Sequence, residues 1–393
     1  MRSATGSRGF YAEEDRDDVF LFAFDEGTVT AGVFTRSTTA SADVDWCREA
    51  LAKGQGKARG LVVNSGNSNA FTGKAGVLKN DATLAALMAE LDADRTSCFL
   101  AATGVIGEPL PDANYVGAIV PELANALGSP DWEACARAFM TTDTYPKGAG
   151  TTVELGGHDV RIAGIAKGSG MIAPNMATML AYVFTDVAIT PALLDAVLRD
   201  AVEGTLNAIT VDGDTSTSDT CMVFATGASG LPVIETEADP RFAGFRLALI
   251  EVMRDLAHQI VKDGEGASKF VTVNVLGAVD DVSAKTIACA IANSPLLKAA
   301  LAASDANWGR VVMAVGKSFE PINLDMLKIW FGDYLVAEGG GRVSDYDEDK
   351  ASAICADPAI NITIDVGMAE GRATVWTCDL THGYVEINGA YRT

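Results

Sequence analysis

Histidine is nearly missing from this chain of 393 residues, where only His158, His258 and His382 occur. A Ser-His-Asp hydrolase would need one of them beside a serine elbow, and there is no GxSxG motif to supply the serine. Cations are also in short supply. Thirty basic residues face 52 acidic ones, and the net charge of −22 argues against a nucleic-acid partner, because phosphates would be repelled. The seven cysteines are scattered, with no CxxC and no metal-ligand pair, so they read as buried thiols in a reducing compartment. HExxH and the Walker A spacing are absent, which leaves metal and nucleotide readings without a motif. No apolar run approaches the ~20 residues of a membrane span, and the opening "MRSATGSRGFYAEEDRDD" has no apolar signal core. The expectation is a cytoplasmic protein with small-molecule ligands and no membrane partner.

What the sequence does have is apolar content, 48% of residues, in patterns of two periods. Runs at 27–36, 59–67 and 98–107 read as strands. They alternate with helical patterns, which predicts an α/β fold. Leu84, Leu87, Met88 and Leu91 form one apolar stripe, with Asn80 as the expected N-cap. Thr190 and Pro191 read as N-cap and N1 of a second helix, and residues from about 245 to 262 predict a third. The strand-like "KFVTVNVLGA" ends at 278, which sets an expected division into a main domain, 1–278, and a smaller lobe, 279–393. The tail, through Tyr384, Val385 and Ile387, reads as an alternating strand docked on the rest of the protein.

Five segments crowd glycine, hydroxyl and acid residues together: 101–107, 141–147, 167–180, 211–219 and 262–269. Taken singly, each is most simply a turn or cap. As a group they are the polar loops on which α/β proteins carry their sites. "VDGDTSTSDTCMV" fails as an EF-hand, because Thr217 stands where the loop needs glycine and Val223 where it needs glutamate. "GSGMIA" matches the dinucleotide fingerprint only as a lone motif in mid-chain, with Pro174 and a strand-like run after it. Thr178 stands between Ala177 and Met179 at the mouth of an apolar run. A threonine hydroxyl needs a base, and a threonine at a chain terminus has one in its own α-amine. Such a terminus would arise by attack on the Ala177 carbonyl. The simpler alternative is a threonine packed at a strand start.

"KGSGMIAPNMATML", "VNSGNSNAFTG", "ATGVIGEPL", "MTTDTYPK", "VDGDTSTSDT", "VKDGEGASKFV" and "CDLTHGYVEINGAY" together resemble the ornithine acetyltransferase (glutamate N-acetyltransferase) family of arginine biosynthesis. The resemblance implies a layered α-β-β-α sandwich of the N-terminal-nucleophile kind with a smaller α/β C-terminal lobe whose tail returns to the site. It implies cleavage between Ala177 and Thr178, with Thr178 as nucleophile and Thr103 and Gly104 as oxyanion donors. Substrate contacts would come from Thr141, Lys167, Thr178, Glu265, Asn388 and Thr393. The implied reaction passes an acetyl group from N-acetylornithine to Thr178, releases ornithine, and then passes the acetyl to glutamate. No metal or cofactor is implied, and acetyl-CoA is an alternative donor in bifunctional members. The two pieces would assemble as α2β2. A self-cleaving amidase or aminopeptidase would differ in using water as the acyl acceptor.

Overall fold

The computed structural model describes residues 1–11, 14–173 and 179–390. Two sheets form its centre. The first joins β1 (Arg2–Gly6), β2 (Val19–Ala23), β4 (Gly60–Asn64) and β5 (Cys98–Ala102) in that order. The second has the order β3-β9-β8-β7-β6, from β3 (Val29–Phe34), β6 (Lys147–Leu155), β7 (His158–Lys167), β8 (Leu180–Thr185) and β9 (Thr220–Ala225).

Strand alternation builds the layers. Phe20 and Phe22 of β2, Leu61 and Val63 of β4, and Phe99 of β5 share one core with Leu180, Tyr182 and Phe184 of β8 and Met222 and Phe224 of β9. The residues between them point outward. Val19, Leu21, Val62 and Leu100 meet Leu84 and Leu87 of α2 (Gly73–Leu91) and Val120 and Leu123 of α3 (Val120–Asn125). Ala181, Val183, Cys221 and Val223 meet α5 (Pro191–Glu203) and α6 (Pro240–Lys262). The result is four layers, helix-sheet-sheet-helix, with every residue of β8 and β9 buried. Rings such as Phe24 and Phe224, stacked 4.4 Å apart, fill the inter-sheet layer, and burying each side chain of this size contributes about 1.5–3 kcal/mol. Helices α1 (Ala42–Gly54) and α4 (Trp132–Ala138) add Val44, Cys47, Cys135 and Ala136 to the same layer.

The remaining strands make a third, six-stranded sheet in the order β13-β12-β11-β14-β10-β15. These are β10 (Phe270–Ala278), β11 (Lys328–Phe331), β12 (Tyr334–Glu338), β13 (Gly341–Arg342), β14 (Ala359–Asp365) and β15 (Gly371–Cys378). Its buried face packs on α7 (Asp281–Ala292), α8 (Pro295–Ala302), α9 (Trp308–Gly316) and α10 (Glu348–Cys355). Dividing the chain after Ala278 separates β10 from this sheet, in which it pairs with both β14 and β15; by strand pairing the lobe begins at Phe270. At the seam with the sandwich, His258 of α6 lies between Phe270 and Trp376, with ring centroids 5.2 and 4.5 Å away.

Three local expectations change. Asn80 is not a cap: α2 begins two turns earlier, and the buried Asn80 accepts a hydrogen bond from Asn69 at 3.1 Å. The third helix starts at Pro240, five residues before the expected position, where the Asp239 side chain accepts from the Arg241 amide. The tail is a helix, α11 (His382–Ala390), instead of a strand. Its start is tied by the Thr381 hydroxyl, which donates to Gly266 O and accepts from the Gly383 amide.

Candidate active site

A cavity of about 430 Å³ opens where strand ends of both sheets meet α11. The topology dictates its position. Thr103 and Gly104 follow β5, Lys167 ends β7, Met179 and Leu180 open the neighbouring β8, and Asp219 stands one residue before β9, all in the cavity wall. All five glycine- and acid-rich segments contribute to this wall, together with Ser68, Tyr384 and Asn388.

Gly104 is a glycine for two reasons. Its φ of +127° is a conformation L side chains rarely adopt. A Cβ there would also strike the Gly66 backbone and come within 2.7 Å of the Asn67 nitrogen. The Thr103 amide donates to Asn64 O at 3.0 Å and Val105 to Gly66 O at 3.3 Å, so the loop after β5 is fastened to the loop after β4.

Lys167 is buried, and its Nζ donates to Thr141 Oγ1 at 2.8 Å and Thr103 Oγ1 at 3.3 Å. Burial pushes its pKa down, opposed by Asp143 and reinforced by Lys147. Asp143 accepts from the amides of Gly168 (2.7 Å) and Thr141 (3.0 Å) and from Lys147 Nζ (2.6 Å). Burial alone would raise its pKa, but Lys167 and Lys147 hold it below the ordinary carboxylate value. Lys147 is fully buried and also reaches Asp263, at 2.6 Å. Asp263 in turn accepts from the Thr144 amide and hydroxyl. These paired charges fasten segments 141–147, 167–170 and 262–265 together. Removing one member would strand a buried charge at a cost of about 3–5 kcal/mol.

Glu265 stands in the turn after α6. Its amide donates to Ser169 O at 3.0 Å, and its carboxylate lies so close to Gly170 that a Cβ there would collide with it. Its Oε2 accepts from Asn388 Nδ2 at 2.6 Å. Asp212 accepts from the amides of Met171 (2.6 Å) and Ile172 (3.0 Å), yet burial raises its pKa. Tyr384 OH lies 3.4 Å from Asp212. Asn388 and Tyr384, one helical turn apart, thus both face the cavity.

Of the residues singled out from sequence, Thr103, Gly104, Thr141, Lys167, Glu265 and Asn388 all line this one cavity. Ala177, Thr178 and Thr393 lie outside the described residues; Met179, next in the chain after Thr178, is in the wall. Sequence reasoning missed Asp143, Lys147 and Asp263 as a linked set, as well as Asp219 and Tyr384. The acids were visible inside the segments it marked, but their partners lie up to 119 residues away. The glycines of "GSGMIA" open no helix among the described residues, and the chain resumes as β8, antiparallel to β7, which is not the βα turn a dinucleotide fold requires.

Comparison with known proteins agrees across the chain. The ArgJ family model matches residues 2–393. The arginine biosynthesis bifunctional protein ArgJ of Rhizobium meliloti (strain 1021) is 53% identical over 396 residues, covering 100% of this chain and 95% of its own. The protein of the same name from Caulobacter vibrioides is 51% identical over 391 residues, covering 99% and 96%. The crystal structure of ArgJ from Bacillus halodurans superposes with a TM-score of 0.53 at 37% identity, covering 55% of this chain and 100% of that one.

Proposed function

Because the chain belongs to the ArgJ family and is an acyltransferase of arginine biosynthesis, we propose that it carries the acetyl group of N-acetylornithine to glutamate through an acetyl ester on Thr178. Thr178 becomes the nucleophile by self-cleavage after Ala177. Its new α-amine then takes the hydroxyl proton during acylation and returns it to the departing amine of ornithine. Thr103 and Gly104 stabilise the oxyanion that forms at the acetyl carbonyl, a contribution of about 3–4 kcal/mol per donor. Acetyl-CoA serves as the second donor, as the word bifunctional in the relatives' names suggests.

The observation that carries this reading is the convergence in one cavity of an oxyanion-type loop, a buried lysine and a buried glutamate beside Met179. An amino-acid substrate bears charges of both signs. A substrate carboxylate against Lys167 would offset the burial that depresses its pKa, and Glu265 suits an ammonium. The sheet order supports cleavage without dissociation. A cut after residue 177 leaves β8 and β9 from one piece interleaved between β3 and β7 from the other. The pieces would stay together through buried surface alone, and two such pairs would form the α2β2 assembly in the cytoplasm.

Intact mass under denaturing conditions tests the reading. Wild-type protein should give pieces 1–177 and 178–393, and Thr178→Ala should stay whole. N-acetylornithine alone should add one acetyl group to the larger piece, and glutamate should remove it. Removal by water at the same rate would make the protein an amidase, and a single uncut, fully active chain would overturn the mechanism.

A further inference from the structure

Lys167 is matched above with a substrate carboxylate, but its hydrogen bonds within the protein point to a second duty. Its Nζ donates to Thr141 Oγ1 at 2.8 Å and to Thr103 Oγ1 at 3.3 Å. Thr103 follows β5, Thr141 precedes β6, Lys167 ends β7, and all three line the cavity. An ammonium has three donors and no acceptor, whereas a hydroxyl has one proton and two lone pairs. Both threonine hydroxyls are therefore acceptors on the side that faces the lysine, and each keeps its own proton to give elsewhere. Among the described residues neither hydroxyl donates to a side chain or to a backbone carbonyl.

The backbone beneath these three side chains is already fixed. The Thr103 amide donates to Asn64 O at 3.0 Å. Asp143 accepts from the Thr141 amide at 3.0 Å and from the Gly168 amide at 2.7 Å, so one carboxylate fastens the chain at Thr141 and immediately after Lys167. Lys167 itself pairs with Leu180 of β8. What remains open is the rotation of each hydroxyl, which has three staggered positions. A positive charge 3.3 Å from Thr103 Oγ1 excludes the position in which the proton would point at the lysine. The Thr141 bond keeps the ammonium from swinging away. Accepting from a cation also polarises a hydroxyl and strengthens it as a donor.

We infer that Lys167 is a positioning residue for the oxyanion donor: its ammonium fixes the direction of the Thr103 hydroxyl, so that the hydroxyl gives its proton to a group in the cavity and never to the lysine. The inference rests on the reading of Thr103 as a donor to the oxyanion. A hydroxyl that could equally well accept would have to be turned at the moment the negative charge forms, whereas one already turned costs no reorganisation. The duty requires the charged lysine, because a neutral amine has a lone pair and could take the Thr103 proton itself. Burial pushes the Lys167 pKa down. Asp143, ahead of β6, opposes that fall, Lys147 on β6 adds to it, and Glu265 after α6 and Asp219 before β9 oppose it. The acids around the cavity thus favour the form that can only donate.

A double-mutant cycle on Lys167→Met and Thr103→Val tests the inference, read as the rate of acetyl uptake from saturating N-acetylornithine in a single turnover. Thr103→Val should slow uptake by about 10²- to 10³-fold, the usual loss for one oxyanion donor. Lys167→Met should slow it by about tenfold in the presence of Thr103, since a freed hydroxyl spreads over three positions and loses its polarising partner. In the Thr103→Val background the same change should cost less than threefold. A contact between Lys167 and the substrate carboxylate would raise the half-saturating concentration equally in both backgrounds, and so is read separately. An equal tenfold slowing in both backgrounds would overturn the inference, because Lys167 would then act on the oxyanion directly or hold the fold. An uptake rate in Lys167→Met equal to wild type would overturn it as well. Should that variant not fold or not cleave, neutron diffraction from wild-type crystals in heavy water gives the answer: three deuterons on Lys167 Nζ and the Thr103 deuteron turned away from it are expected, and a Thr103 deuteron aimed at Nζ overturns the inference. Failure of the underlying reading would show separately, as a Thr103→Val enzyme that takes up acetyl within threefold of the wild-type rate.

Discussion

The two walls of the cavity are built differently. On the sandwich side, Thr103, Gly104, Lys167 and Asp219 sit at the ends of strands β5, β7 and β9. The last four residues of β7 and every residue of β5 and β9 are buried. On the lobe side, Tyr384 and Asn388 come from α11, in which no residue is buried. That helix is held by a few polar ties, from Thr381 to Gly266, Asn388 to Glu265 and Tyr384 to Asp212. Elements with little buried apolar contact open at low free-energy cost, and fully buried strands open only near global unfolding. On the function proposed above, the oxyanion loop and the substrate-contacting Lys167 would sit on the rigid wall, and the remaining substrate contact, Asn388, on the wall that opens more easily.

The largest effect that would break this contrast is expected at Gly104. Gly104→Ala forces a Cβ against the Gly66 backbone at a φ of +127°, so the loop must shift. Loss of one well-aimed oxyanion donor is worth about 10²- to 10³-fold in kcat. Steady-state kinetics should show that loss with KM nearly unchanged. A variant within threefold of wild type would mean the β5 wall is not rigid in the sense argued here.

A smaller effect, of a different kind, is expected on the lobe side. Asn388→Ala removes the 2.6 Å bond to Glu265. A hydrogen bond to a charged group is worth about 1.5–3 kcal/mol, so KM for N-acetylornithine should rise by about tenfold or more, with cleavage at 177/178 intact and kcat little altered. If kcat falls as far as KM rises, the tail takes part in the chemistry and the two walls are not separate in role.

The smallest effect concerns the seam between the two regions. Burial pushes the His258 pKa down to about 4 from its ordinary 6.5, with Lys262 and Arg254 adding to the shift and Asp255 opposing it. Between those values the unfolded chain binds a proton that the folded one does not. The stability this group contributes is therefore fully present above about pH 6.5 and is lost as pH falls toward about 4. His258→Phe keeps a ring between Phe270 and Trp376 and should flatten that decline in denaturant midpoints measured from pH 7 to 4.5. Equal slopes in the two proteins would assign the acid sensitivity to the buried carboxylates instead.

Much of the sandwich was legible because its strands obey a strict local rule. In β4 and β5 nearly every residue is apolar whichever side it faces, so the runs at 59–67 and 98–107 read as strands. The tail was misread for an equally local reason. Tyr384 and Asn388 share a face whether the chain repeats every two residues or every 3.6, so their spacing cannot tell strand from helix. The buried charges were illegible in a different way. Nothing near Lys147 announces Asp263, 116 residues on, and a buried lysine shows itself only when its neighbours are known.

By itself the sequence determined the α/β character and the loops that carry polar chemistry, because hydrophobic period and composition are properties of contiguous residues, and its motifs carried the family resemblance that implied the layered sandwich. Tertiary structure alone decided that five separated loops share one cavity and that Lys147 bridges two aspartates. It also decided that Asp219 is buried in the cavity wall and that the tail meets the site as a helix. These outcomes depend on which strands pair and which charges are desolvated together. Burial across the whole fold sets both, and no local stretch of chain encodes them.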